Sequence, residues 1–449
     1  MMVWIHSGSS SGTTAVTRFK RVVTAMAFAG VLAFAGFASR EAHALPSFAR
    51  QTGQPCSSCH TAFPELTPFG RAFKLGGYTL GGGMMDPFTH FAGMVQTGFT
   101  HTQAPQTGLD PFNPNDNLAI QQASLFYGGK IVENLGAFVQ ATYDGIGNSV
   151  SWDNVDVRMA KSTTISGKDT VFGITVNNNP TVQDAWNTAP AWSFPGGYIT
   201  SGLGPEPTAS TMLEGAFSQQ VLGAGAYVYY NSTLYAELSG YKSLSPETLS
   251  ALGVAPDGTS AFSGIAPYAR VAFEPSWGNN SLEIGAFGMF ANVVPQRMGP
   301  QTDSYTDIGL DSQYQYINDK NAFTARASYI HENQRLSASQ GLHLTTNISN
   351  YLDSFRASAS YTYDHTYSLT AGYFGISGSA DSALYGGSPN SSGFVFDLSW
   401  LPWSNGNSPL WEGFNTRFGV QYTMYNEFNG TSAGASDNNT LFLYAWSAL

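Results

Sequence analysis

From about residue 91 onward the chain is a long series of short runs in which apolar and polar side chains alternate one by one. In Asn154-Val155-Asp156-Val157-Arg158-Met159 the Val and Met positions point one way and Asn, Asp and Arg the other. Leu282-Glu283-Ile284 and Asp307-Ile308-Gly309-Leu310-Asp311 repeat the pattern. Phe323, Ala325, Ala327 and Tyr329 oppose Thr324, Arg326 and Ser328. Phe394, Phe396, Leu398 and Trp400 oppose Val395, Asp397 and Ser399, and Thr416, Phe418, Val420 and Tyr422 oppose Arg417, Gly419 and Gln421. Successive side chains of a strand fall on opposite faces, so a period of two gives each run one greasy and one polar face. Clusters of Gly, Asn, Asp, Ser and Pro separate the runs.

Roughly 16 runs lie between Phe91 and Leu449, an even number such as bacterial outer-membrane barrels have. They begin near residues 91, 118, 135, 154, 170, 221, 233, 266, 281, 305, 322, 352, 366, 393, 415 and 439. The last, Leu441 to Leu449, is apolar up to its end, as a closing barrel strand would be. The pattern predicts an all-β fold: a transmembrane antiparallel β-barrel of about 16 strands. A large secreted sandwich or solenoid would carry mixed charge on its outer face. Barrel closure also removes the exposed edges that so many strands would otherwise leave.

Composition agrees. Charged residues are 11%, aromatics 14%, and Gly numbers 49 in 449 residues, whereas soluble domains are about 25% charged. Mean hydropathy is −0.13, the average expected when lipid-facing and lumen-facing residues alternate. The net charge of −11 excludes nucleic acid as a partner and suits a lumen that attracts cations.

Residues 1–44 read as an export signal. Arg18, Lys20 and Arg21 form a basic start, Val22 to Ala38 an apolar run, and Ala42-His43-Ala44 a small-x-small cleavage site before Leu45-Pro46. Without them the chain holds 15 basic and 29 acidic residues. No later stretch reaches about 18 consecutive apolar residues, so no transmembrane helix is expected after it. Three regions follow: the signal peptide at 1–44, a compact segment at 45–85 and the barrel at 86–449. Asn177 to Pro207, with Trp186, Trp192 and Pro195, is too long for a tight turn. It is either a loop folded into the lumen or a loop resting on the barrel rim.

The compact segment carries the chemistry. Cys56-Ser57-Ser58-Cys59-His60 is C-x-x-C-H. Two thiols at this spacing add to the two vinyl groups of haem, and the adjacent His falls beneath the iron as proximal ligand. A thioredoxin-like pair would need a surrounding βαβ pattern, and zinc would need two more ligands. Export to a compartment where c-type haem is attached favours covalent haem over a plain disulfide. The sixth ligand stays open among Met84, Met85 and His90, with Met94 and His101 further along. Met would raise the reduction potential and His would lower it. About 40 residues cannot wrap a haem alone. The segment is therefore expected inside the barrel or at its periplasmic mouth, as a small α/irregular plug.

The run Leu45-Pro46-Ser47-Phe48-Ala49-Arg50-Gln51-Thr52-Gly53, the haem motif, and Phe63-Pro64-Glu65-Leu66-Thr67-Pro68-Phe69-Gly70-Arg71-Ala72-Phe73-Lys74 together resemble the fused monohaem cytochrome–porins. That family includes outer-membrane iron-oxidising cytochromes, and the Asn177-to-Pro195 loop is also similar to it. The resemblance implies electron conduction across the outer membrane of a Gram-negative bacterium, from extracellular Fe(II) or another small donor to a soluble periplasmic cytochrome. As an enzyme this would be a ferrous iron:cytochrome c oxidoreductase. It further implies that Cys56 and Cys59 attach the haem, that His60 is proximal, and that Arg50, Arg71 and Lys74 pair with the propionates. The competing reading is a passive porin whose haem plug is structural or sensory; a third is a haem peroxidase. On the polar faces Asp156, Glu283, Asp307, Asp311 and Asp397 are candidates for concentrating cations.

Overall fold

A computed structural model of the chain describes residues 46–81, 87–108, 110–191, 200–406, 408, 410 and 414–449. The export segment, Met84, Met85, Trp192 and Pro195 lie outside the described residues.

Sixteen long strands make up the sheet. They are β1 Phe91–Thr102, β2 Asn117–Val132, β3 Leu135–Asp144, β4 Ser149–Ile165, β5 Lys168–Asn177, β6 Val221–Tyr230, β7 Leu234–Ser243 and β8 Ala266–Phe273. There follow β9 Asn280–Val294, β10 Asp303–Ile317, β11 Asn321–Arg335, β12 Ser349–Tyr363, β13 Tyr367–Gly378, β14 Ser391–Trp400, β15 Asn415–Glu427 and β16 Thr440–Ala448. Two-residue segments at Ala261–Phe262 and Ser276–Trp277 extend the pairing of β9. Each strand pairs antiparallel with its sequence neighbours, and β1 pairs with both β2 and β16. The sheet therefore closes on itself. β4 starts at Ser149, not near 154, because a register shift between Val139 and Ala141 on β3 breaks the alternation at its start.

The two faces invert the arrangement of a water-soluble protein. Outward-facing Leu238, Ile308, Leu310 and Leu398 are exposed, while inward-facing Asp307, Asp311 and Asp397 are buried. Apolar side chains on the outside need lipid, and the polar ones between them line the lumen. Exposed Trp277, Tyr363, Tyr367, Trp400 and Phe418 sit near the short-turn ends of their strands, where aromatic rings meet the membrane interface. The protein is an outer-membrane barrel.

One end of the barrel carries tight turns, at 133–134, 166–167, 231–233, 318–320 and 364–366. The other carries long loops, at 178–220, 244–265, 336–348 and 428–439. Short turns face the periplasm in barrels of this type. β1 begins and β16 ends at that same end, so the segment preceding β1 enters from the periplasmic side.

That segment lodges in the lumen. It contains α1 Pro46–Thr52, the single turn α2 Cys56–Cys59 and α3 Pro68–Leu75. α3 starts where the Thr67 side chain accepts from the Gly70 N–H, with Pro68 at its first position, and stops at Gly76. Its Phe73 packs with Phe48 and Tyr78 at ring separations of 5.0 and 5.8 Å. This core is too small to stand alone, and the wall completes it. The Tyr227 hydroxyl donates to the Leu75 carbonyl at 2.6 Å, and the Tyr78 hydroxyl to Asp156 at 2.6 Å. At Gly77, φ is +74° and an added Cβ would meet the Ala160 methyl at 3.2 Å, so the chain turns tightly against β4 there.

Candidate haem site in the barrel lumen

α2 is one turn of helix, so Cys56 and Cys59, three residues apart, share a face. Both thiols are buried. His60 caps the turn, its N–H bonded to the Cys56 carbonyl. Residues 60–66 then double back. His60 bridges Leu66, and the Thr67 N–H bonds the Cys59 carbonyl at 2.9 Å.

This hairpin is pinned to the wall at several points. Glu65 accepts from the Thr61 hydroxyl at 2.7 Å and from the Ser360 hydroxyl at 2.6 Å, and lies 3.6 Å from Arg326. Arg417 donates to the Phe63 carbonyl at 2.8 Å, and the Phe63 ring meets Trp446 edge-on at 4.9 Å. The Asn415 side chain hydrogen-bonds the Cys56 thiol. The motif and the hairpin after it together touch β11, β12, β15 and β16.

Burial raises both thiols to about 12. It lowers His60 to about 4, against the opposing pull of the Pro64 and Glu65 backbone groups and the Glu65 charge. The imidazole is neutral at physiological pH, the form that ligates a metal. Its ring is buried within the plug, beside the Pro64 and Glu65 backbone. Two thiols on one helical face and an adjacent neutral His fit a covalently attached haem. Among the described residues no group of three or more His, Cys, Asp and Glu is placed to hold a metal by itself.

The three basic positions anchor the plug. Arg50 donates to the Thr89 carbonyl at 3.1 Å and to that of Phe91. Arg71 donates to the Leu66 carbonyl and to Gln315, and pairs with Glu274. Lys74 donates to the carbonyls of Val182 and Asp184, both at 2.7 Å. His90 packs against Tyr127, its ring centroid 5.5 Å away, with Nδ1 lying where a Cβ at Gly129 would stand. His101 is half-exposed and paired with Asp116 at 2.7 Å.

All five acidic candidates point inward and are buried. Four are matched to arginines: Asp156 to Arg158 at 2.8 Å, Glu283 and Asp311 to Arg270 at 3.0 and 2.7 Å, and Asp397 to Arg417 at 2.9 Å. Asp307 accepts from the Leu213 N–H at 2.9 Å. Their charge therefore holds structure together. The inward arginines were legible as charged residues on the polar faces of alternating runs, but their partners were not.

The first described part of the long loop, residues 178–191, lies in the lumen rather than on the rim. Asp184 is 3.4 Å from Arg270, Thr188 bonds Asp311, and Gln183 donates to Glu237 at 2.7 Å. Trp186 is buried against Tyr235, ring centroids 5.3 Å apart. Further along, Met212 and Leu213 donate their N–H groups to Glu332 and Asp307. Plug and loop together occupy the lumen.

No family model matches the sequence. No curated protein matches it either. Among solved structures the chain is similar to the outer membrane channel DcaP of Acinetobacter baumannii, at 12% identity and TM-score 0.47, covering 80% of this chain and 96% of that one. OmpF of Salmonella typhi, solved in complex with daunomycin, aligns at 12% identity and TM-score 0.46 over 80% and 97%. An anion-selective porin from Comamonas acidovorans aligns at 10% and 0.43 over 80% and 98%.

Proposed function

We propose that this outer-membrane barrel is an electron conduit in which haem c, attached at Cys56 and Cys59 and ligated by His60, passes electrons from a small extracellular donor, Fe(II) foremost, to a soluble periplasmic carrier. The observation that carries the reading is the C-x-x-C-H turn held inside the lumen at the short-turn end. When bound, the haem supplies a one-electron acceptor.

The chain's residues supply the rest. The Glu65 and Phe63 contacts fix the hairpin that carries His60. Arg71 and Lys74 tie the following helix to the wall and to the inserted loop. A single haem cannot span a hydrocarbon layer of about 25–30 Å. The site lies toward the periplasmic end, so a docked carrier meets it from below and a small donor descends from the long-loop mouth. Plug and loop share the lumen, so a donor that descends from the long-loop mouth must be small.

The test is to co-express the chain with a c-type maturation system, purify it from outer membranes and add Fe(II) to the oxidised protein. The expected result is covalent haem staining that disappears in Cys56→Ser/Cys59→Ser, and reduced haem bands on adding Fe(II). Covalent haem that dithionite reduces and Fe(II) does not would exclude iron as the donor. Absence of covalent haem would end the reading.

A further inference from the structure

The lumen wall is polar around most of its circumference. Inward positions include Gln313 and Gln315 on β10, Thr324 and Arg326 on β11, and Ser358 and Ser360 on β12, all buried. A lumen of this kind is the rule for such barrels. Apolar side chains also face inward in several sectors, the largest on β6 to β9 and β11, and one such sector lies on the strands around the seam. On β1, β2, β3 and β16 the inward positions Ala92, Met94, Phe126, Phe138 and Trp446 form an apolar cluster.

Strand register places this patch against the haem motif. Asn415 on β15 pairs with Ala448 on β16, and Ala448 pairs with Met94 on β1. The three residues form one rung of the wall. Neighbouring strands are about 4.8 Å apart, so Asn415 and Met94 stand about 10 Å from each other. Asn415 is the residue that hydrogen-bonds the Cys56 thiol. Two residues along, Arg417 pairs with Trp446, and Trp446 with Gln96. Arg417 and Trp446 are the residues that hold the Phe63 carbonyl and ring. Residues 56–63, which include His60, therefore lie over the wall that presents Met94.

The donor chemistry fits. Met94 is buried and faces the lumen, and its sulfur has only a long 3.8 Å contact from the Gln96 amide. A neutral thioether in apolar surroundings is a suitable axial ligand for haem iron. Of the other candidates in the described structure, His90 is packed against Tyr127 and Gly129, and His101 is half-exposed and paired with Asp116.

We propose that Met94 is the sixth ligand of the haem iron, and that the inward apolar wall of β1, β2, β3 and β16 receives the haem. This rests on the haem reading above. It places the site in the class of His/Met cytochromes, with a raised reduction potential.

The experiment uses the full chain, matured with haem and purified from outer membranes. Heat-modifiable migration on gels verifies that each variant is a folded barrel. Ferric wild-type protein should show the far-red charge-transfer band of a methionine sulfur bound to iron, and the ferrous protein should not bind carbon monoxide. Met94→Leu keeps the side-chain volume. It should lose the band, gain carbon monoxide binding and have a lower potential. Met94→His should also lose the band and lower the potential, but should exclude carbon monoxide. Met289→Leu, a buried methionine on β9 in a different cluster, should keep the band. A haem-loaded Met94→Leu barrel that retains the band, or a wild-type barrel without it, overturns the ligand assignment alone. A wild-type chain that carries no covalent haem overturns the haem reading and this inference together.

Discussion

The Arg270 guanidinium lies 5.3 Å from the centre of the Trp186 ring and 3.4 Å from the Asp184 carboxylate, so one residue of the barrel wall grips the inserted loop at two points. The same guanidinium pairs with Glu283 and Asp311. Arg270→Met would leave three buried carboxylates without their cation. Breaking a buried ion pair from one side costs about 3–5 kcal/mol. The expected outcome is a barrel that still forms but denatures at lower denaturant concentration, with residues 178–191 open to protease. Limited proteolysis with mass mapping checks the second effect, and a loop as resistant as in the wild type would disprove it.

Both thiols of the motif are buried once the plug sits in the lumen. On the proposed haem reading, addition needs those sulfurs accessible, so attachment would precede docking of the plug. A chain refolded without haem should resist maleimide alkylation until it is unfolded in urea. It should also fail to acquire covalent haem afterwards, even with the maturation machinery present. Rapid labelling of the folded apoprotein would contradict the buried placement.

Leu310 is at the middle of β10 and points outward. Arginine at such a lipid-facing midpoint costs about 2–4 kcal/mol. Leu310→Arg should lower barrel stability in a lipid or detergent unfolding titration by about that amount. The adjacent inward Gly309 lies under the Phe287 ring, so the neighbouring position is limited by space and not by lipid.

Gly419 on β15 pairs with Tyr444 on β16, and an added Cβ would fall 2.1 Å from that ring. Tyr444 in turn donates to Asp397 at 2.8 Å. Gly419→Val cannot keep the ring in place, so it should disrupt pairing next to the closing strand. Loss of the heat-modifiable folded form is the expected readout, and Tyr444→Ala in the same chain should restore part of it.

The long strands were readable wherever the inward residues are polar, as in β10, β11 and β14, because the two faces then differ sharply. β1 shows where that signal fails. Ala92, Met94 and Val95 are apolar on both faces, so the sequence marks a strand there but does not single out its inward wall. The C-x-x-C-H spacing of Cys56, Cys59 and His60 stands in the sequence itself, and the structure adds that both thiols share one face of a buried turn. The partners of Arg71 and Lys74 were not legible, because Glu274 and Asp184 lie far along the chain and meet them only through barrel closure. The inserted loop was half legible: its length and tryptophans set it apart, but the wall residues that hold Asp184, Thr188 and Gln183 decide between lumen and rim.

The rung Asn415–Ala448–Met94 crosses the seam at which the last strand meets the first. Until that seam is joined, the wall facing the haem motif does not exist, since it is built from both ends of the strand series. A nascent chain that stalls with an incomplete or misregistered sheet therefore lacks this wall altogether, whatever has happened to its cysteines. On the proposed haem reading, completion of the cylinder and completion of the redox site become a single event, and a half-assembled barrel would have no centre through which to leak electrons.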